Sequence, residues 1–340
     1  MFKIDHIIRK IDDPRIKALN SGRIDEADLM KLVKPEDPFY FGQGELKYLS
    51  EAEEKANLTR FIQDTKNIIK QTGRIDANYI YEKIEFFGKA FPEIMDMYPA
   101  IKEAKARNRR RDLGEIRKIF VEYPQGWLST KQEDTGNAQA SWRTDPKRSG
   151  KAGCMGDIGT HAHHLAEYVT GLRTVELCAE LNVFVPGRLL DDDGAALLRF
   201  DNGARGVLVA TQIAAGEENA LKLRVYGENG GLEWCQHEPN TLLMKWSDRP
   251  TEIVRVGNGY MSAITKHNTR TPGGHPEGYL EAFANIYRNF SLTLRAKMNG
   301  QTPKPEWLDF PNVEDGIRGM MFIDAVVKAG YDDTTKWVKF

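Results

Sequence analysis

The sequence predicts an α+β fold, in which an open, mainly antiparallel sheet is covered by helices and preceded by a mostly helical N-terminal segment. Between residues 175 and 246, short runs alternate apolar and polar residues with the period of two that half-buried strands show. Asn202-Gly203 and Asn229-Gly230 separate such runs, and Asn-Gly favours tight hairpins because it accepts positive φ. Helical periodicity flanks the region on both sides. These observations define a sheet domain over residues 98–340 and a separate segment over residues 1–97.

Length, charge and cysteine content restrict the class of protein. The chain has 340 residues, enough for two domains, and a formal net charge of −1 with both signs spread throughout. This distribution lacks the basic stripe of a nucleic-acid surface, and no apolar run is long enough to span a membrane. The first residues lack the apolar core of a signal peptide, and the three cysteines are widely spaced. We therefore expect a cytoplasmic protein without nucleic-acid or membrane partners.

The N-terminal segment contains short helices and no legible dinucleotide-binding pattern. Helical periodicity covers residues 25–32, 50–70 and 78–91. Gly42-Gln43-Gly44 comes nearest to a phosphate loop, but Lys47 stands where the third glycine of G-x-G-x-x-G would be. That glycine lets helix and strand pack closely, so half of the fingerprint carries little weight. We predict a helical segment without a Rossmann fingerprint and assign no cofactor-binding residue.

Local patterns place the elements of the sheet domain along the chain. Helices are predicted over residues 99–111, 156–170, 277–298 and 313–329. Strands are predicted over residues 116–123, 175–185, 194–200, 204–213, 220–227, 231–236, 241–246 and 251–256. Residues 124–143 and 257–276 are predicted as loops. The strands after the helix at 156–170 are expected to form an antiparallel meander, with the later helices packed on it together with that helix.

The stretch from Gly153 to Gly171 carries the most chemistry. One helical stripe is apolar and a second is polar: Ile158, Ala162, Leu165 and Val169 form the first, and Asp157, His161, His164 and Tyr168 the second. A carboxylate one turn before an imidazole can fix the histidine tautomer and leave the other ring nitrogen free to take a proton. Two alternatives remain open at this point. In the first, Asp157 and His161 lie on a solvated helix face and have no chemical role. In the second, Asp157, His161 and His164 hold a metal ion.

The segment from Trp142 to Leu172 resembles the signature segment of the Gfo/Idh/MocA family, the glucose–fructose oxidoreductase and inositol dehydrogenase group. That segment reads WR…GG…D-x-x-x-H and follows a nucleotide-binding domain. The similarity takes in LGEIRKIFVEYPQGW before it, and PEGYLEAFANIY and FPNVEDGIRGMMFIDAVV after it. It covers residues 98–340. The resemblance implies the family's C-terminal domain for substrate binding and oligomerisation.

The resemblance also implies an activity and a set of roles. Family enzymes pass a hydride between NAD or NADP and a hydroxyl carbon of a sugar, inositol or related polyol, so a carbohydrate-like small molecule is the expected substrate. At matching positions, His161 is the base and Asp157 its orienting partner, while Trp142 and Arg143 line the site. Tyr123, Trp127 and His275 are further pocket candidates, chosen because their polar edges and aromatic faces suit a sugar. No metal is implied.

The N-terminal segment departs from the family. Members carry a glycine loop and a Glu-Lys-Pro segment, whereas Lys34-Pro35 is preceded by Val33. Two other functions therefore stay open. The chain is a catalytically inactive binding or assembly module without a cofactor domain, or it uses transient sugar oxidation for glycoside cleavage.

The family's sheet commonly pairs face to face between subunits. Leu221, Leu223 and Val225 alternate with polar residues in one predicted strand. We expect a homo-oligomer built on the sheet face, with these residues in the interface and C2 symmetry at its core.

Overall fold

The computed structural model describes residues 97–332, 334 and 337–340, so the predicted N-terminal helices, Gly42-Gln43-Gly44 and Lys34 lie outside the described residues. The α-helices are α1 (Pro99–Arg109), α2 (Ala138–Arg143), α3 (Pro146–Ser149), α4 (Thr160–Thr170), α5 (Ala263–Asn268), α6 (Tyr279–Met298) and α7 (Val313–Tyr331). The strands are β1 (Ile116–Pro124), β2 (Thr174–Asn182), β3 (Asp193–Phe200), β4 (Arg205–Thr211), β5 (Lys222–Gly227), β6 (Gly230–Cys235), β7 (Thr241–Trp246), β8 (Glu252–Arg255) and β9 (Val338–Lys339). The structure thus confirms the predicted strands to within a few residues. Both predicted loops contain a short helix, α2 in one and α5 in the other.

The strands of the described part form one sheet in the order β8-β7-β6-β5-β1-β4-β3-β2-β9. Every neighbouring pair is antiparallel except β1 and β4, which are parallel with Pro124 opposite Thr211. The sheet is therefore mainly antiparallel, as predicted. The expected simple meander is wrong, because β1 lies between β4 and β5 and separates two strands that follow each other in sequence. Local periodicity identifies a strand but does not encode its neighbour.

One face of the sheet packs against the helices. Leu221, Leu223 and Val225 belong to this face and are fully buried, so they cannot form the expected subunit interface. Their polar neighbours Lys222 and Arg224 point to the opposite face, because alternate side chains of a strand project to opposite sides. The prediction of these three residues as an oligomer surface is thus wrong: alternation identifies two faces without saying which one the helices cover.

The apolar stripe of the predicted helix at 156–170 is buried, as predicted. Ile158 and Val169 are at most 4% exposed, and Ala162 and Leu165 are fully buried. The helix begins with a π-helical turn at Met155–Gly159 and continues as α4, which ends at Gly171 in a left-handed conformation (φ 72°). It packs against α1, α7 and β1. We call residues 155–170 the signature helix.

A buried carboxylate fixes the turn that leads into the signature helix. The Asp191 side chain accepts hydrogen bonds from the backbone N–H groups of Gly153 (2.6 Å) and Met155 (2.8 Å). The Asp191 carbonyl accepts from the N–H of Cys154 at 2.8 Å. A Cβ atom on Gly153 would lie 2.0 Å from that carbonyl oxygen, so only glycine fits. This clamp sets the position of Asp157, two residues after Met155.

The later helices pack on two different parts of the domain. Helix α7 packs against β2 and α4, as expected. Helix α6 is tied to α5 and to Met97, two residues before α1, because the Asn285 side chain donates to the carbonyls of Asn268 (3.0 Å) and Met97 (3.1 Å).

Candidate active site

The candidate site lies where the parallel strands β1 and β4 end beside the start of the signature helix. Parallel strands end at the same edge of a sheet, which brings Gln125 and Gln212 together, one residue beyond Pro124 and Thr211. Two backbone hydrogen bonds extend this pairing: Gln125 N–H to the Thr211 carbonyl (2.8 Å) and Leu128 N–H to the Gln212 carbonyl (3.0 Å). The chain then leads from Leu128 towards α2, which carries Trp142 and Arg143.

Asp157 is held by an arginine and an amide. Its Oδ2 atom accepts from Arg143 Nε at 2.9 Å and from Gln212 Nε2 at 2.8 Å. The described contacts include no hydrogen bond from His161 to Asp157, and the two groups interact through charge. The Asp157 carboxylate therefore accepts hydrogen bonds from Arg143 and Gln212, and it acts on His161 only through its charge.

Arg143 lies between Asp157 and the two candidate tryptophans. Its guanidinium carbon is 4.2 Å from the centre of the Trp142 ring and 5.8 Å from that of Trp127, within the range of a cation–π contact. Its Nη1 donates to Gln139 Oε1 at 2.6 Å. Asn137 caps α2 by accepting from the N–H groups of Gln139 and Ala140, which fixes the helix that presents Arg143.

A chain of amides lines the other side of the site. Gln125 Oε1 accepts from Gln212 Nε2 (3.2 Å) and from the Trp127 indole (3.0 Å). Gln125 Nε2 donates to Asn219 Oδ1 at 2.6 Å, which also accepts from the Tyr123 hydroxyl at 2.8 Å. Burial raises the pKa of the Tyr123 phenol, which keeps it a hydrogen-bond donor at physiological pH.

His161 faces this wall, with its ring centre 6.3 Å from that of Tyr123. The side chain is half-buried, and its Nδ1 atom is enclosed without a hydrogen-bond partner in the described part of the chain. Burial lowers the pKa of His161 to about 4, although the Asp157 carboxylate raises it and His164 lowers it further. The imidazole is therefore neutral at pH 7 and able to accept a proton.

The two neighbouring histidines have different surroundings. His163 is 1% exposed, stacks on Phe322 with ring centres 4.5 Å apart, and lies 3.0 Å from Thr174 Oγ1 and 3.3 Å from Glu167 Oε1. Burial alone would raise the pKa of Glu167, but His163 and Arg318 outweigh it and lower this pKa. His164 is buried and stacks on Tyr168. His163 thus belongs to the packed interior between α4 and α7.

The structure brings six of the seven predicted site residues into one cluster: Asp157, His161, Arg143, Trp142, Trp127 and Tyr123. His275 is exposed on the loop before α6, and no side-chain contact joins it to this cluster. Among the described residues, no three His, Cys, Asp or Glu side chains are placed to hold a metal ion, so the metal alternative for Asp157, His161 and His164 has no geometric support.

The sequence analysis missed the amides Gln125, Gln139, Gln212 and Asn219. Glutamine and asparagine form no recognisable motif, and they carry no charge pattern. The signal that could have found two of them is position, since Gln125 follows the end of one predicted strand and Gln212 lies at the end of another.

Comparison with known proteins identifies the family to which the chain is similar. The profile of the GFO/IDH/MocA C-terminal domain matches residues 101–233. A crystal structure of an oxidoreductase from Sinorhizobium meliloti is 37% identical, with a TM-score of 0.63, over 73% of this chain and 63% of that chain. The chain belongs to the Gfo/Idh/MocA family. The predicted fold class is also that of its relatives in this family.

Two further Gfo/Idh/MocA relatives bear on chemistry. An inositol dehydrogenase homolog from Azotobacter vinelandii, crystallised with NAD⁺, is 29% identical with a TM-score of 0.68, over 73% of this chain and 64% of that chain. The curated protein YfiI of Bacillus subtilis (strain 168), an uncharacterized oxidoreductase, is 28% identical over 230 residues, 67% of this chain and 58% of its own length. The chain thus spans less than two thirds of the length of these relatives. Within its described portion, no helix combines the length and hydropathy that crossing a membrane requires.

Proposed function

We propose that this protein is an NAD- or NADP-dependent oxidoreductase of the Gfo/Idh/MocA type. Its reaction is hydride transfer at a hydroxyl carbon of a sugar, inositol or related polyol. The observation that carries the proposal is His161, a half-buried and neutral imidazole that faces the Tyr123 ring beside the Arg143–Asp157 pair. A half-buried ring keeps one part open to a ligand hydroxyl while its protein neighbours hold the rest.

Each side chain of the site has its own role in the proposed hydride transfer. Loss of a hydride from a C–H bond requires the proton of the adjacent hydroxyl to leave, and the His161 imidazole takes it. Asp157 stabilises the imidazolium that forms, since its charge already raises the pKa of His161. Arg143 and Gln212 hold Asp157 in place. A bound nicotinamide would supply the hydride acceptor, and no residue is assigned to hold it.

The walls of the site support a hydroxylated, uncharged substrate. Arg143 is engaged by Asp157 and Gln139, so its charge is balanced within the protein. The remaining wall offers amides, the Tyr123 hydroxyl and the faces of Trp127 and Trp142. Amides donate to and accept from hydroxyl groups, and indole faces pack against the C–H surfaces of a sugar ring.

The test uses the full chain with NAD⁺ or NADP⁺ and a panel of myo-inositol, glucose and other neutral sugars. We expect formation of reduced nicotinamide, measured by its absorbance, to depend on one member of the panel. The same chain should bind the nicotinamide dinucleotide in calorimetry. Absence of both binding and turnover would contradict the proposal and favour the inactive binding module.

We also infer that the protein forms a homo-oligomer through the sheet face opposite the helices. Leu197 and Val207 are paired across β3 and β4, and Val207 pairs with Phe120 of β1. Leu197 is 49% exposed. This apolar group, and not Leu221, Leu223 and Val225, is the part of the sheet that a second copy can cover.

A further inference from the structure

Gln212 is the most constrained polar residue of the site. It is 2% exposed, and both of its backbone groups are bonded: its N–H donates to the Asp192 carbonyl (2.9 Å), and its carbonyl accepts from Leu128 N–H. Its side-chain Nε2 donates to Asp157 Oδ2 (2.8 Å) and to Gln125 Oε1 (3.2 Å). One amide nitrogen therefore connects the carboxylate on the signature helix with the amide wall at the end of β1.

The chemistry of the partners fixes the orientation of these amides. A carboxylate only accepts hydrogen bonds, so Gln212 must turn its NH₂ group towards Asp157. The same NH₂ group then donates to Gln125 Oε1. The Trp127 indole can only donate, and it donates to the same oxygen atom. Gln125 is thereby left to donate from Nε2 to Asn219 Oδ1. The donor that Gln212 supplies and the Trp127 indole thus require the same orientation of the Gln125 amide.

We propose that Gln212 is the positioning residue of this site: it holds the Asp157 carboxylate and, through Gln125, sets the orientation of the Trp127 indole. Neither residue of the predicted acid–base pair makes this connection by itself. The inference rests on the proposed function only where it concerns turnover, because the hydrogen-bond pattern exists without a substrate.

Two matched substitutions distinguish donor from acceptor. Gln212→Glu replaces the donor with an acceptor facing Asp157 and Gln125, so the Gln125 amide must turn over and the Trp127 indole loses its acceptor. Gln139→Glu makes the same chemical change on the other side of Arg143. Gln139 uses only Oε1, which accepts from Arg143 Nη1 (2.6 Å) and Trp142 Nε1 (3.4 Å), and a carboxylate keeps both bonds.

The experiment records the indole N–H signals of the ¹⁵N-labelled full chain by NMR, with Trp127→Phe to assign the Trp127 signal. We expect Gln212→Glu to shift this signal and to speed its exchange with solvent on the order of tenfold, the value of about one hydrogen bond. Gln139→Glu should leave it in place. An unmoved signal in Gln212→Glu, or an equal change in both variants, would overturn the proposal.

A double variant covers the case in which Gln212→Glu does not fold. Asp157→Asn in the Gln212→Glu background removes the like charges and exchanges donor and acceptor across this contact, but its amide nitrogen then faces Arg143 Nε, because both donors share Asp157 Oδ2. We expect it to recover part of the lost melting temperature while the Trp127 signal stays displaced, because Gln125 still faces an acceptor. A double variant no more stable than Gln212→Glu, or with the original Trp127 signal, contradicts the proposal.

Turnover gives the second measurement. Gln212→Met keeps the volume and removes the donor, so we expect kcat to fall about tenfold to a hundredfold, with a smaller change in KM, since a displaced catalytic group costs rate at this level. A kcat equal to that of the original chain would count against positioning. If the unaltered chain shows no turnover, the proposed oxidoreductase activity fails, whereas the indole comparison still decides the role of Gln212.

Discussion

At the scale of single residues, the arrangement around His161 separates a chemical histidine from a structural one. His161 is half-buried beside Asp157 and Tyr123, and its pKa lies near 4 because burial disfavours the charged ring. His163, two residues later, is enclosed by Phe322, Thr174 and Glu167. Two histidines two positions apart on one helix thus differ in their roles because they face different neighbours.

Substitution of these two histidines should have opposite consequences. His161→Ala should reduce turnover about a hundredfold to ten-thousandfold, the usual contribution of a positioned base, with little change in stability. His163→Ala should lower the free energy of unfolding by about 2–4 kcal/mol, because it leaves a cavity against Phe322 and removes the imidazole contacts of Thr174 and Glu167. Turnover per folded molecule should change far less. Steady-state kinetics with thermal unfolding checks both. Parallel losses of activity and stability in the two variants would reject the catalytic role.

The low pKa of His161 has a consequence for stability. Its folded-state pKa of about 4 lies below the unfolded value of about 6.5, so the unfolded chain binds more protons between these pH values. The stabilisation is complete above pH 6.5 and is lost as the pH falls towards 4. Melting temperatures measured from pH 7 to pH 4 should therefore fall more steeply for the original chain than for His161→Gln. Superimposable profiles would show that His161 has the same pKa in the folded and the unfolded chain, which contradicts the shift.

The same shift changes the pH dependence expected for activity. A histidine with an ordinary pKa would give a rate that rises near pH 6.5. Because the pKa of His161 is about 4, its protonation should not change kcat/KM from about pH 5.5 upward. A kcat/KM profile with a clear inflection between pH 6 and 7 that disappears in His161→Gln would contradict this expectation.

At the scale of elements, the signature helix is fixed at its start by contacts from outside the helix. Asp191 binds the N–H groups of Gly153 and Met155, and its carbonyl binds that of Cys154. Asp157 follows directly, so the turn that Asp191 holds determines where the carboxylate lies. The C-terminal half of the helix is fixed by its apolar stripe.

Gly153→Ala tests this clamp. Its new methyl group would lie 2.0 Å from the Asp191 carbonyl oxygen, so the turn must shift, and we expect a loss of about 1–3 kcal/mol in the free energy of unfolding. Gly259→Ala is the matched control, because nothing lies within 4 Å of the corresponding methyl position. Its effect should stay within about 0.5 kcal/mol. Denaturant unfolding measures both, and equal effects would show that the clamp is not tight.

At the scale of the whole molecule, the helices cover one face of the sheet, and we propose that a second copy covers the other. The exposed face carries Phe120 and Tyr226 in edge contact, with Arg224 and Lys118 near the Phe120 ring. The apolar residues lie between charged side chains. Such a surface is typical of a subunit interface with an apolar centre and a polar rim.

Leu197→Glu should weaken self-association, because it places a charge in the centre of this face. We expect sedimentation at micromolar concentration to show an oligomer for the original chain and a shift towards monomer for the variant. Met320→Glu on α7 alters a residue that is 61% exposed elsewhere and should leave the assembly unchanged. A monomeric original chain would remove the basis of the prediction.

The sequence by itself determined the elements and the chemical centre of this protein. Alternation of apolar residues predicted the strands, and helical periodicity predicted the buried stripe of the signature helix. The D-x-x-x-H spacing with Trp142 and Arg143 identified four of the six residues that the fold brings together, and the aromatic candidates Tyr123 and Trp127 complete the set. These features are local, because they depend on residues a few positions apart.

Only the tertiary structure decided which strands are neighbours and which partners each side chain finds. The parallel pairing of β1 with β4 joins residues about ninety positions apart, and it places Gln125 beside Gln212, which in turn contacts Asp157. The same long-range packing buries Leu221, Leu223 and Val225 and encloses His163. It also makes Arg143 and Gln212, and not His161, the hydrogen-bond donors to Asp157. Periodicity cannot specify these choices, because the burial and hydrogen bonds that favour them arise between segments distant in sequence.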